Sequence, residues 1–191
     1  MNIVAIITAR SNSTRLPNKM MADLCGEPLI ARVVSRADES EKVNESVVAT
    51  VIGDPVFDYC VKEGIQCFAG DEHDILGRLY GAAKQFRADV VVRLWGDAPL
   101  IAPKDIDFTI DYYQNTGLPY VCLYTKRGAV AVTSFKELKR LNRELTDPEE
   151  RHWIHNYQAN TGSVVMIDKP EFTVDTLEDL QRVREIWKSE H

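Results

Sequence analysis

Three cations, Arg10, Arg15 and Lys19, stand within ten residues of one another and are interleaved with Ser11, Asn12, Ser13 and Thr14. Small hydroxyl and amide side chains leave backbone N–H groups accessible and add donors of their own. The planar arginine fork suits phosphate oxygens, and lysine acts as a point charge. A helix following the loop would add its positive N-terminal end, so the residues describe an anion cradle. Neither of the commonest phosphate loops is present, because no GxGxxG follows the first apolar run and no GK[ST] occurs. On spacing alone, a solvated surface loop with unrelated charges explains the same residues.

Two carboxylates could complete such chemistry. Asp97 follows an apolar run and Gly96, and Asp175 follows Val174. Magnesium commonly takes one or two protein carboxylates, with substrate phosphates and waters filling its octahedron. Each aspartate also has an ordinary use, Asp97 as a turn residue before Pro99 and Asp175 as a helix cap. Taken together, the cations and carboxylates suggest magnesium-dependent phosphoryl transfer without a protein nucleophile, a chemistry of positioning and charge stabilisation.

These residues need a frame that brings distant loops together. Ile3–Ile7 is a continuous β-branched run that predicts a strand buried on both faces. Further strands are expected at 46–52, 66–69, 89–95, 120–124 and 162–167, with a brief one at Phe172-Thr173-Val174. Helices are expected at 28–37, from the Asp54-Pro55 start to Gly64, and at 74–86, 103–115, 134–145 and 177–188, with Asp175-Thr176 capping the last. Alternating strands and helices predict an α/β fold with a mostly parallel sheet covered on both faces. Ligands of such sheets sit at the carboxyl ends of strands. The loops at 8–19, after Trp95 and after Val174 would then share one rim.

A chain of 191 residues suits a single domain. The net charge of -6 argues against broad nucleic-acid binding, which needs Lys and Arg against phosphates. Cys25, Cys60, Cys67 and Cys122 form no CxxC pair, so reduced, mostly buried thiols are expected. The apolar start, Met1–Thr8, is too short for a membrane span or a signal peptide, and the expected location is cytoplasmic.

The stretch Ile7-Thr8-Ala9-Arg10, followed by Ser13-Thr14-Arg15-Leu16-Pro17-Asn18-Lys19, closely resembles the signature of the cytidylyltransferases that activate acidic sugars. These include the CMP-Kdo and CMP-sialic acid synthetases, and the likeness is strongest to the spore-coat polysaccharide branch. Supporting stretches are Val48-Ala49-Thr50, residues 70–78, residues 91–101 and residues 173–180. The resemblance implies a three-layer, Rossmann-like sandwich of the nucleotide-diphospho-sugar transferase type. It implies that Arg10, Arg15 and Lys19 contact the CTP triphosphate, that Ala9 to Ser11 contact the nucleotide, and that Asp97 and Asp175 hold Mg2+. Arg78 and Arg93 would lie near the nucleotide or the sugar. The reaction implied is attack of a sugar's anomeric hydroxyl on the α-phosphorus of CTP, giving a CMP-sugar and pyrophosphate, in a homodimer that needs neither nucleic acid nor membrane.

Two departures from the family pattern stand out. Asn18 occupies a position where the family usually has Gly, and Asn tolerates left-handed backbone better than other side chains. The segment between Val121 and Phe172, which in the family forms the sugar-binding lid and much of the dimer contact, is short. A reduced lid at about 121–171 is therefore expected within one domain spanning 1–191.

Weaker candidates remain. His152 and His155, three apart, would be solvent-facing or packing residues, since no third metal ligand is suggested. Trp153 and Tyr157 read as core or interface aromatics. The acidic run 147–150 reads as a solvated face. Asp105 and Asp107 form the Asp-x-Asp of a metal-using glycosyltransferase, an alternative weakened by their place inside an expected helix. A non-catalytic nucleotide-binding paralogue is the other alternative, suggested by the short lid.

Overall fold

In the computed structural model, residues 1–160 and 162–190 are described. The first strand, β1 (Ile3–Thr8), is buried almost throughout. Its side chains alternate between two apolar layers, Ala5 and Ile7 into one, Val4 and Ile6 into the other. A 3-10 turn (Lys19–Met21) and a short ladder of β2 (Asp23–Leu24) with β3 (Glu27–Pro28) lead into α1 (Leu29–Asp38). Next come β4 (Glu45–Val51), α2 (Pro55–Glu63), β5 (Cys67–Gly70), α3 (Ile75–Gln85), β6 (Val90–Trp95) and α4 (Pro103–Thr116). The chain continues through β7 (Tyr120–Thr125), β8 (Gly128–Ser134), α5 (Phe135–Glu144), α6 (Pro148–His152), α7 (Ile154–Ala159) and β9 (Ser163–Met166), and ends in α8 (Leu177–Glu190).

The central sheet has seven strands in the order β5-β4-β1-β6-β8-β7-β9. All adjacent pairs are parallel except those made by β8, which runs against both β6 and β7. Helices α1, α2, α4 and α8 pack on one face around Leu29, Val33, Ile106, Ile110 and Val183. Helices α3, α5 and α7 cover the other around Leu76, Leu79, Leu138, Leu141 and Ile154. This is the expected α/β sandwich with a mostly parallel sheet.

Three sequence expectations need correction. Residues 128–134 form a full strand that was not among the expected elements, although Val130, Val132 and Thr133 are β-branched. Alanine, at 129 and 131, favours strands weakly, but here small side chains are accommodated next to Tyr120 and Cys122. Phe172-Thr173-Val174 belongs to no strand. Its amides go to loop carbonyls instead, Val174 N–H to Asp97 O at 2.8 Å and Phe172 N–H to Lys126 O at 3.1 Å. The acidic run 147–150 is exposed throughout, the solvated face expected, and it also starts α6, with Asp147 accepting from the amides of Glu149 and Glu150. The expected Asp175-Thr176 cap resolves to one residue. Thr176 Oγ1 accepts from the Asp179 amide, and Asp179 accepts from the Thr176 amide, a capping box.

Candidate active site

The loop leaving β1 is pinned from below by a helix cap. Asp54, the N-cap of α2, accepts from the Ser11 amide at 2.7 Å, from Ser11 Oγ at 2.7 Å and from the Val56 amide at 2.9 Å. Ser11 is thereby buried, and its carbonyl accepts from the Asn18 amide at 3.2 Å, closing the loop. Asn18 sits in the left-handed region, φ 55° and ψ 29°, as its special tolerance allowed. The closed turn directs Lys19 inward, where only 7% of the residue is exposed.

Lys19 is the meeting point of three loops. Its Nζ donates to Asp97 Oδ2 at 2.9 Å, Asp175 Oδ1 at 3.0 Å and the Val174 carbonyl at 3.1 Å. Arg15 reaches the same Asp175 oxygen at 2.9 Å. Burial opposes the charge on Lys19, but Asp97 and Asp175 outweigh it and hold the ammonium's pKa above its ordinary range. Because Thr176 caps α8, the Asp175 carboxylate is left to face the cleft.

One cation thus already bridges both carboxylates, so the pair is close enough to share a metal ion. No cluster of three or more acidic, His or Cys ligands exists among the described residues. Two carboxylates suit magnesium completed by substrate phosphates, and would suit a self-sufficient structural metal poorly.

These groups line a cleft of about 600 Å3, a volume of ligand scale, shared with Thr8, Ala9, Arg78, Arg93, Trp95, His155 and others. Arg10 contacts Glu72 at 3.3 Å, and Asn12 donates to the same oxygen at 3.1 Å, so the first loop and the loop after β5 are joined. Arg78, on α3, donates to the carbonyls of Asp71 and Glu72 at 2.6 and 2.8 Å and shapes that second loop. Burial and the nearby Arg10 charge lower the Arg78 pKa.

The far wall is aromatic. Arg93 lies with its guanidinium carbon 4.4 Å from the Trp95 ring centre. His155 meets the same ring edge-on at 6.3 Å and meets the Trp153 ring edge-on at 5.8 Å. Burial, then Arg93 and His152, lower the His155 pKa to about 4, so its ring is neutral. His155 is therefore a packing residue of the cleft, as expected, and Trp153 is half exposed on the cleft wall and so not a core aromatic. Tyr157 packs on the α3–α5 layer as expected.

Of the sequence-derived site residues, Ala9, Arg10, Arg15, Lys19, Arg78, Arg93, Asp97 and Asp175 line this cleft, while Ser11 is buried against Asp54 and lines an adjoining cavity. Asp105 and Asp107 lie within α4 as expected; Asp107 accepts from Ser40 Oγ at 2.6 Å. Sequence reasoning missed three positioning residues. Asp54 showed only its cap signal, and nothing local revealed that it also holds Ser11. Glu72 lay in a quoted stretch without a role. Arg151, which grips the α3 cap Asp74 at 2.6 and 3.1 Å, has a partner 77 residues away.

A profile described as cytidylyltransferase matches residues 4–183. The chain belongs to the cytidylyltransferase family. This cytidylyltransferase is 26% identical to the spore coat polysaccharide biosynthesis protein SpsF of Bacillus subtilis, over 98% of its own length and 87% of SpsF. It is 39% identical to a 3-deoxy-manno-octulosonate cytidylyltransferase of Chlorobium chlorochromatii, over 62% of this chain. That match spans 48% of the relative, so the chain covers about half of such enzymes. A CMP:2-keto-3-deoxy-manno-octonic acid synthetase solved with CTP superposes with a TM-score of 0.82, covering 100% of both chains at 21% identity, which shows a shared fold. Family membership brings with it the nucleotidyltransferase class. Among the described residues of this cytidylyltransferase, no helix is long and apolar enough to cross a membrane.

Proposed function

We propose that this protein is a magnesium-dependent enzyme that transfers CMP from CTP to the anomeric hydroxyl of an acidic sugar, releasing pyrophosphate, in the cytoplasm and for surface polysaccharide synthesis. The observation that carries this reading is the Lys19–Asp97–Asp175 junction beside Arg15, in a chain of the cytidylyltransferase family.

In this reading the triphosphate lies along the first loop. Arg10 and Arg15, both substantially exposed, turn from Glu72 and Asp175 to phosphate oxygens. Lys19 takes an oxygen near the bond that breaks and balances the charge that develops on the leaving pyrophosphate. The backbone from Ala9 to Ser11 lines the nucleotide's path, held rigid by Asp54. Asp97 and Asp175 would hold the magnesium ion, and a bound ion there would lower the pKa of the attacking hydroxyl and screen the phosphates. The hydroxyl oxygen forms the new bond to the α-phosphorus, the bond to the β-phosphate oxygen breaks, and the hydroxyl proton leaves to solvent. The names of the relatives, SpsF and the 3-deoxy-manno-octulosonate enzymes, support the sugar and polysaccharide part.

Incubation with magnesium, each of the four nucleoside triphosphates and a panel of acidic sugars tests the reading by pyrophosphate release. Release with CTP and one acidic sugar together supports it. Absence of release with every pair, despite measurable CTP binding, overturns it in favour of a nucleotide-binding paralogue.

A further inference from the structure

Arg93 is the one group in the cleft whose charge the described residues leave unanswered. It is 6% exposed, and its Nε and Nη1 have no hydrogen-bond partner. The groups that face it are Tyr120, Cys122 and Tyr124 of β7, the Trp95 ring, and the like charge of Arg78; no carboxylate is among them. Burial therefore lowers its pKa. His155, in edge contact with the same Trp95 ring, also has an enclosed and unpartnered atom, Nδ1. A buried cation without a counter-ion is costly, and aromatic contact offsets only part of that cost.

The fold makes room for this arrangement. Arg93 pairs across the sheet with Ala131 of β8, and the next residue on that face is Ala129. Two alanines leave space over β8 for a long side chain, which a valine pair would fill. Arg93 and Trp95, two apart on β6, point to the same face and so present themselves together to the cleft.

We infer that Arg93, with His155 beside it, binds the carboxylate of the acceptor. The triphosphate already has Arg10, Arg15 and Lys19, and cytosine, being neutral, does not supply a counter-ion. An acidic acceptor does. This inference rests on the proposed cytidylyltransferase reading and specifies which part of the chain reads the acid. It places the acid-reading contact on the sheet itself, so that selection for an acid does not require a long lid.

Calorimetric titration of the whole protein with CMP present tests it, using 3-deoxy-manno-octulosonate, N-acetylneuraminate, their methyl esters and inorganic phosphate as separate probes. The expected result is binding of at least one free acid and neither ester. In Arg93→Met that affinity falls on the order of 30-fold, as loss of a charge-assisted hydrogen bond predicts, while CTP affinity holds. Arg93→Lys keeps the charge without the fork and gives an intermediate value. A second readout separates binding from structure: Arg93→Met should raise the thermal midpoint, by roughly 2–4 °C, because it removes an unpaired buried charge.

Undiminished acid binding in Arg93→Met overturns the inference. So does a lowered thermal midpoint, or a parallel loss of CTP affinity, which would assign Arg93 to the nucleotide. Binding of phosphate alone, or of no probe by the wild type, overturns it too, while intact CTP binding in that case leaves the nucleotide reading standing.

Discussion

At one end of the cleft Lys19 faces two carboxylates within 3.0 Å; at the other Arg93 is as deeply buried and faces none. Both are cations on the rim of one sheet, and the difference lies in what each is paired with before any ligand arrives. The Lys19 end is self-neutralising: Arg15, Lys19, Asp97 and Asp175 satisfy one another, and in the proposed reaction metal with triphosphate would enter by exchange. The Arg93 end has an unmet demand that only a ligand can fill. Self-pairing preserves stability when the site is empty, whereas an orphaned charge sacrifices stability in favour of recognition.

The sharpest way to break this comparison is at the paired end. Asp97→Asn should reduce turnover by about 10^3-fold or more while the fold survives, since it removes a carboxylate from the charge centre of the reaction. Pyrophosphate release together with circular dichroism checks this, and unchanged turnover would remove Asp97 from the metal site. Asp54→Ala should cost about 2–4 kcal/mol, because one carboxylate serves both a helix cap and the Ser11 loop. Urea denaturation measures it, and Ser11→Ala, which spares the cap, should cost clearly less.

Lys19→Met should cost about 1–3 kcal/mol in the free protein by leaving Asp97 and Asp175 opposed. Millimolar magnesium should then raise the thermal midpoint of this variant more than that of the wild type. An equal rise in both would mean that the aspartates do not share the ion.

At the unpaired end, His155 gives a pH signature. Its folded pKa of about 4 lies below the unfolded value of 6.5, so the folded state disfavours its proton. Its contribution is present above pH 6.5 and is lost as pH falls from about 6.5 towards 4, by up to a few kcal/mol. His155→Leu should flatten the stability curve in that window relative to the wild type, as measured by chemical denaturation at fixed pH steps. The smallest effect expected is at Asn18, where Asn18→Gly should change stability by less than about 0.5 kcal/mol, because both residues accept φ 55°.

Legibility in the sequence followed the same division. The paired end could be read because its residues sit in short loops after strands that declare themselves by β-branched runs: Ile3–Ile7 before the cradle, Val90–Trp95 before Asp97. The sheet's parallel half and the cap at Asp54 were visible for the same reason, since the signal and its effect lie within a few residues. What escaped depends on tertiary partners. β8 carries a local β-branched signal at Val130, Val132 and Thr133 that Ala129 and Ala131 dilute, and its antiparallel place between β6 and β7 is set by tertiary pairing. Helices α6 and α7 are too short to show a period, and they are held by Arg151 reaching to Asp74. Only the family resemblance points to Arg93, and its lack of a partner is a property of the three-dimensional surroundings alone.

The bond from Ser11 to Asp54 also governs how the loop can open. The amides of Ser11 and Val56 end on one carboxylate, so a fluctuation that frees one weakens the hold on the other. The cradle does not flap on its own hinge. Its first turn shares the opening free energy of the α2 N-terminus, and in hydrogen exchange the two amides should be protected together and lose protection together. Substrate entry is then left to side-chain swings of Arg10 and Arg15 over a stationary backbone.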